Sequence, residues 1–276
     1  MKILFPFAKR FIAGMGINDS SSVFQNHLDQ NFKVIANLVG ENSQSIEEIN
    51  ATVAEYTDLL NRFNQEEFSI SVKLSSIGMD CSFDESIKNL TKLCELASKN
   101  SQMIRLDMED STYTDRTIKA CKTIHEQYPG SVGITLQANL FRTEKDIKDL
   151  INDGISIRLV KGAYFESDAV AHTQLKSIRK KFLDYSRELL ADNKAKHSIA
   201  THDEILLETV AKEDEMKNHR FEFLFGVRRD LQKAFKQSHE VGIYMPFGKE
   251  WISYTVRRLK EFKNIKFVAQ NILKEK

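Results

Sequence analysis

The sequence predicts one α/β domain over residues 1–276, a closed (β/α)8 barrel of the TIM type with a short N-terminal lead-in. Three observations carry this. Eight short runs rich in Val, Ile and Phe recur from residue 33 onward. Charged stretches with helical apolar periodicity lie between them, and such alternation builds a parallel sheet. Finally, no linker, low-complexity tract or Pro/Gly/Ser-rich break divides the 276 residues. An open doubly wound sheet is the rival, but the count of eight fits a closed barrel and no GxGxxG follows any strand.

The predicted strands are KVIANLV (33–39), FSISVKL (68–74), MIRLDM (103–108), VGITLQA (132–138), ISIRLVK (155–161), HSIATH (197–202), FEFLFG (221–226) and VGIYMPF (241–247). Each is the length of a buried strand. Among the helices, 45–63 gathers Ile46, Ile49, Val53, Tyr56 and Leu60 on one face, and 84–99 gathers Ile87, Leu90, Cys94 and Ala97. A short helix over 142–154 stops at Gly154. Residues 166–195 read as a long charged helix, and 228–240 closes the seventh unit. Residues 251–262, WISYTVRRLKEF, form the last barrel helix, with Ile252, Thr255, Val256 and Leu259 on one face and Arg257, Arg258 and Glu261 turned away.

With 40 basic and 39 acidic residues, the net charge of +1 gives no footprint for nucleic acid. Cys81, Cys94 and Cys121 show neither CxxC nor zinc-like spacing, so they read as buried or incidental thiols of a reducing compartment. No run reaches the ~20 apolar residues that span a bilayer, and MKILFPFAKR lacks the long apolar core of a secretory leader. A cytoplasmic protein is expected, with no metal site. The histidines His27, His125, His172, His197, His219 and His239 have no evident partner and read as surface or helix-end residues.

Polar residues fall repeatedly where barrel enzymes place their chemistry, at the C-terminal ends of the strands. Lys73 ends strand 2. Asp107, followed by Glu109 and Asp110, ends strand 3, and Gln137 ends strand 4. Arg158 and Lys161 lie on strand 5, Thr201-His202-Asp203 at the end of strand 6 and Tyr244 on strand 8. Buried charges are costly unless paired, so their recurrence strand after strand points to a site. Two adjacent arginines, Arg257 and Arg258, offer planar paired donors suited to a carboxylate.

Taken in order, SVKLSSIG (71–78), RLDMED (105–110), GITLQANLFRTEKDI (133–147), IRLVKGAY (157–164), IATHDE (199–204), FLFGVRRDLQ (223–232), IYMPFG (243–248) and VRRLKEF (256–262) resemble the proline dehydrogenase family, specifically its single-function bacterial members. The resemblance runs from about Phe11 to the C-terminus. It implies a barrel with non-covalent FAD over the strand ends, oxidation of L-proline to Δ1-pyrroline-5-carboxylate, and transfer of the electrons to membrane quinone. It further implies cytoplasmic location, with contact at the inner membrane face, and a separate pyrroline-5-carboxylate dehydrogenase as a partner for the product.

Carried over by motif, Lys73, Arg257 and Arg258 hold the substrate carboxylate, with Glu261 tethering the arginine pair. Asp107 sits in the active site and anchors Lys73. Arg158 lies where the hydride reaches the flavin. Leu159, Tyr164 and Tyr244 wall in the pyrrolidine ring. Met108, Gln137, Lys161, Gly162, Ala163, Thr201 and His202 line the flavin. Fixed cations there would stabilise a reduced flavin, and Gly162 and Ala163 would let the backbone approach it.

Two positions depart from the family pattern: Asn37 stands where an aspartate is expected and Asn139 where a tyrosine is expected. Three rival functions follow. A hydroxyproline dehydrogenase on the same scaffold would need room that Tyr244 fills. A Schiff-base lyase using Lys73 or Lys161 would need a neutral amine, which Asp107 disfavours. A catalytically idle binding barrel would leave several strand-end charges without a function.

Overall fold

The computed structural model describes residues 10–40, 42–43 and 45–251. Its elements alternate as expected: α1 (Ile17–Asp29), β1 (Lys33–Leu38), α2 (Ile46–Arg62), β2 (Phe68–Val72), a 3-10 turn at Leu74–Ile77, α3 (Phe83–Ser98), β3 (Ile104–Leu106), α4 (Thr114–Gln127) and β4 (Val132–Gln137). Then follow α5 (Thr143–Asn152), β5 (Ser156–Val160), α6 (Leu175–Leu190), β6 (Ser198–Ala200), α7 (Glu204–Glu213), β7 (Arg220–Leu224), α8 (Arg229–Lys236) and β8 (Glu240–Phe247). The eight strands are parallel neighbours in chain order, and β8 closes on β1 from Lys33↔Gly242 to Leu38↔Phe247.

Period-two alternation sorts the strand residues onto two faces. One face packs outward on the helices, where Val34, Phe68, Ile70, Ile104, Ile134 and Phe221 join the main core. The helices supply matching stripes, such as Ile49, Val53, Tyr56, Leu59 and Leu60 on α2. At the start of α2 the Ser45 side chain accepts from the Glu48 N–H at 3.2 Å, which satisfies one of the donors that a helix N-terminus leaves free. Phe11, Ile12, Val39, Val227 and Trp251 form a smaller cluster, the last three just after the ends of β1, β7 and β8.

The inward face is charged. Arg105, Arg158 and Glu222 are all buried inside the barrel. Room for them comes from missing side chains: a Cβ at Gly242 would lie 3.1 Å from Glu222 Cγ and 2.8 Å from Ile35 Cδ1. A glycine inside a strand marks such a close approach.

One helix is shorter than the sequence predicts. Residues 166–174 are a loop rather than the first turns of α6. Ser167 Oγ accepts from the Ala169 N–H at 3.0 Å, a local bond that competes with helix. Glu166 is also held away, accepting from both the N–H and the hydroxyl of Ser111 at 2.7 Å each.

Two histidines expected at the surface are buried. The Ile157 N–H donates to His197 Nδ1 at 3.1 Å, so the ring proton sits on Nε2 and is donated to Asp192 Oδ2 at 2.9 Å. His219 lies between Asp214 Oδ1 at 2.9 Å and the Leu189 carbonyl at 3.1 Å. Each partner aspartate stands five residues before its histidine, a repeated Asp-x4-His ahead of β6 and β7. Cys94 and Cys121 are buried and Cys81 is exposed. Among the described residues, no helix is long and apolar enough to cross a membrane.

Candidate active site

Arg158 is the centre of the polar constellation at the C-terminal end of the barrel. It alternates inward on β5, between outward Ile157 and Leu159, and is only 3% exposed. Its Nε donates to Glu222 Oε2 on β7 at 2.6 Å. Its Nη1 donates to Ser71 Oγ on β2 at 3.1 Å and reaches Asp107 Oδ1, just beyond β3, at 3.4 Å. Its Nη2 is buried without a hydrogen-bond partner. Burial alone would lower the Arg158 pKa, but the carboxylates of Glu222 and Asp107 outweigh it and hold the guanidinium firmly charged.

Asp107 receives a second donor from the opposite side of the barrel, the Tyr244 hydroxyl at 2.6 Å. The Arg158 guanidinium lies 5.4 Å from the Tyr244 ring centre, within cation–π range. The hydrogen-bond partners that the side chain of Asp107 has among the described residues therefore include Arg158, Tyr244 and the Met108 N–H at 3.2 Å. Its expected partner Lys73 caps the 3-10 turn after β2. The charge of Lys73 bears on Glu109, whose carboxyl is pushed above its ordinary range by burial while Ser75 and Lys73 partly offset the shift.

The segment after β5 lies at the mouth. Gly162 and Ala163 are exposed, and Lys161 and Tyr164 are half-buried. Gln137 braces this segment: its Nε2 donates to the Glu109 carbonyl at 3.0 Å and its Oε1 accepts from the Ala163 N–H at 3.2 Å. The Tyr164 hydroxyl donates to the Met108 carbonyl at 3.3 Å. Lys161 and Arg179 both donate to Asp203 Oδ2, at 3.2 and 2.7 Å. Burial opposes ionisation of Asp203, yet Arg179 and Lys161 hold its carboxyl below the usual range. Thr201 Oγ1 accepts from the Asp203 N–H at 3.2 Å. His202 Nε2 accepts from the Leu224 N–H at 3.0 Å, which ties the end of β6 to β7 and puts the ring proton on Nδ1.

The structure thus brings Asp107, Arg158, Tyr244, Met108 and Tyr164 into one bonded group, with Gln137 and Ala163 alongside. Lys161, Thr201 and His202 lie on the adjoining strand ends. One expectation needs correction. Leu159 does not face a substrate: it is fully buried in the layer between strands and helices, because strand alternation turns it away from inward Arg158. Gly162 has φ +121°, and a Cβ there would meet Asn139 Oδ1 at 2.2 Å. The space on the side where its Cβ would stand is filled by Asn139. Arg257, Arg258 and Glu261 lie outside the described residues.

Asn37 has taken a role that an aspartate could not fill. Its Nδ2 donates to the Ser71 carbonyl at 3.0 Å, and that carbonyl also accepts the Tyr56 hydroxyl at 3.0 Å. Sequence reasoning missed Glu222 and Ser71. The signal for both was positional: each sits at an alternating, inward place on a strand that otherwise reads as apolar.

The family model described as proline dehydrogenase matches residues 22–270. Proline dehydrogenase 2 of Bacillus subtilis (strain 168) is 32% identical over 277 residues, covering 97% of this chain and 91% of that protein. Proline dehydrogenase of Deinococcus radiodurans is 30% identical over 286 residues, covering 98% and 91%. Among solved structures, proline utilization A from Bdellovibrio bacteriovorus, inactivated by N-propargylglycine, superposes with a TM-score of 0.86 at 19% identity, over 94% of this chain. The chain spans 33% of that larger protein, a likeness of fold. With the family model over most of its length and relatives of this identity covering nearly all of it, the chain belongs to the proline dehydrogenase family of oxidoreductases.

Proposed function

We propose that the protein oxidises L-proline to Δ1-pyrroline-5-carboxylate with non-covalent FAD, and that the electrons pass to membrane quinone. The observation that carries this reading is Arg158: a buried, fixed cation at the strand ends with one donor nitrogen unpartnered. A flavin suits these residues, since its ring edge offers acceptors to a donor such as Nη2 and its phosphates are anionic. Lys161, part-exposed at the mouth, the exposed backbone of Gly162-Ala163, and Thr201 and His202 at the end of β6 would hold it.

When bound, the flavin supplies the hydride acceptor. The chain supplies charge and position. Arg158 keeps a positive charge where negative charge develops, and Glu222, Ser71 and Asp107 fix its place before the reaction begins, so little reorganisation is needed. Lys73, Arg257 and Arg258 would hold the proline carboxylate. Tyr244, itself held by Asp107, and Tyr164, held by the Met108 carbonyl, would flank the ring and orient the C–H bond to be broken. The cytoplasm, with contact at the inner membrane face, is the proposed location. A separate pyrroline-5-carboxylate dehydrogenase would take the product.

The test is a visible absorption spectrum of the purified protein, followed without oxygen as L-proline is added. Flavin bands that bleach establish cofactor and substrate together. Flavin that stays oxidised with proline refutes the substrate. A protein that remains colourless after FAD addition refutes the cofactor and favours a binding barrel.

A further inference from the structure

Glu222 is not among the residues that the family motifs single out, yet it makes the shortest contact to Arg158, 2.6 Å from Nε. It is 3% exposed. Other cations stand nearby without engaging it as closely. Arg105 spends its guanidinium on the Ser156 carbonyl at 2.7 Å, the Ser156 hydroxyl at 3.1 Å and the Ile134 carbonyl at 3.3 Å. Arg220 pairs its Nε with Glu240 Oε1 at 2.5 Å and leaves its Nη1 4.0 Å from Glu222. The barrel also makes room for Glu222 with Gly242, the residue paired with it across β7 and β8. A carboxylate is costly to bury, and this one makes its closest charged contact with Arg158, with the Ser198 side chain and Arg220 as further partners.

We infer that Glu222 is the positioning residue for Arg158. It holds Nε so that the planar fork cannot rotate, it leaves Nη2 as the free donor, and its negative charge moderates the cation that the cofactor meets. The inference rests on the flavin assignment above. Its geometric basis is separate: three of the five guanidinium N–H bonds are directed by protein acceptors, and Glu222 takes the one that sets the tilt of the plane. Without it, Ser71 and Asp107 hold one nitrogen only, and the guanidinium can swing about that point.

Two holoenzyme variants separate charge from position. Glu222→Gln keeps an acceptor oxygen but removes the charge, leaving Arg158 more positive toward the flavin. The reduced-to-oxidised equilibrium, read against a reference dye, should shift toward reduced flavin by about tenfold, ~30 mV for a two-electron couple. Glu222→Asp keeps the charge but withdraws it by one methylene. Its flavin equilibrium should stay within about threefold of wild type while kcat with proline falls about tenfold or more. An unshifted equilibrium in flavin-loaded Glu222→Gln, or an unchanged kcat in Glu222→Asp, overturns the inference. Failure of both variants to fold also overturns it, by making Glu222 a structural residue. Wild-type protein that takes up no flavin refutes the flavin assignment itself, which is a different result from wild-type flavin reduced by proline beside an unaltered variant.

Discussion

Tyr244 on β8 donates its hydroxyl to Asp107 Oδ2 at 2.6 Å, joining the last strand of the barrel to the end of the third. A hydrogen bond to a carboxylate contributes about 1.5–3 kcal/mol, and this one fixes both the Tyr244 ring, the proposed wall of the site, and the carboxylate. Tyr244→Phe keeps the ring but frees Asp107. The expected result is a drop in kcat/KM for proline of about tenfold, with most of the change in KM, because the wall loses its fixed position. Steady-state kinetics decide this. Unchanged kinetics would detach Tyr244 from the site.

Arg158 gives the sharpest contrast between two substitutions. Arg158→Met leaves Asp107 and Glu222 buried without their shared cation, and breaking a buried pair this way costs about 3–5 kcal/mol. Arg158→Lys restores the charge but not the planar fork that reaches three acceptors at once. Denaturant unfolding should therefore rank stability as wild type, then Arg158→Lys, then Arg158→Met. Stopped-flow flavin reduction should be slowed about a hundredfold or more in both, since neither presents the same donor. A lysine variant with wild-type reduction would mean that charge alone suffices.

The barrel was legible because its signal is repetitive. Eight runs with helices between them leave few topologies, and each strand was found within a residue or two of its expected place. The strand-end residues were legible for the same reason: Asp107, Arg158, Gln137 and Tyr244 interrupt apolar runs. What stayed hidden was facing and pairing. Leu159 and Arg158 are neighbours in sequence but opposite in the sheet, and motif matching does not weigh that. Glu222 looked like one polar residue in the apolar run FEFLFG, because its partner lies 64 positions away in the chain. His197 looked solvated because the Asp192 that satisfies it belongs to the loop before it. The shortened α6 was hidden by Ser167, whose side chain bonds locally to the Ala169 N–H and so competes with a helix that composition alone would extend.

His197 makes stability depend on pH. Burial is the largest influence and Asp192 only partly opposes it, so the imidazole pKa is pushed down to about 4. The ordinary value is about 6.5. Between those values the unfolded chain binds a proton that the folded chain does not. Stability therefore rises with pH in that window: it is fully present above about pH 6.5 and lost as pH falls toward 4. His27 and His239 are lowered by burial too and act in the same direction. Chemical denaturation at about pH 7 and about pH 5 should show a loss of about 1–3 kcal/mol at the lower value. His197→Asn should cut that loss by half or more. An equal loss in the variant would assign the pH dependence elsewhere.

The proposed carboxylate clamp is tested through residues 257 and 258. Arg257→Met or Arg258→Met should lower kcat/KM for proline by about tenfold or more, since each charged hydrogen bond contributes about 1.5–3 kcal/mol. On the proposed site, hydroxyproline should be the poorer substrate of the wild-type enzyme, because Tyr244, pinned by Asp107, would occupy the room that a ring hydroxyl needs. Kinetics with the two substrates side by side measure this directly. Equal kcat/KM values would move the Tyr244 wall away from the substituted ring carbon.

Gly162 and Asn139 form a pair that can be taken apart by substitution. At φ +121° a side chain is strained whatever surrounds it, and a Cβ would also meet Asn139 Oδ1 at 2.2 Å. That oxygen is buried without a hydrogen-bond partner, so the Asn139 amide has little to hold it except packing. Gly162→Ala should thus carry two separate penalties: about 1–3 kcal/mol of backbone strain, and a steric term that depends on Asn139. Asn139→Ala removes the second obstacle and the orphan oxygen together, so alone it should cost little. The double variant should then lose only the strain term, less than the sum of the two single losses, a coupling of about 1 kcal/mol or more in a double-mutant cycle. Flavin affinity tells whether the contact also shapes the mouth: if Asn139→Ala leaves FAD binding unchanged, the pair acts on backbone stability alone. Simple additivity in the cycle would mean that the β5–α6 segment shifts to relieve the clash, and that Gly162 is required for its backbone angle by itself.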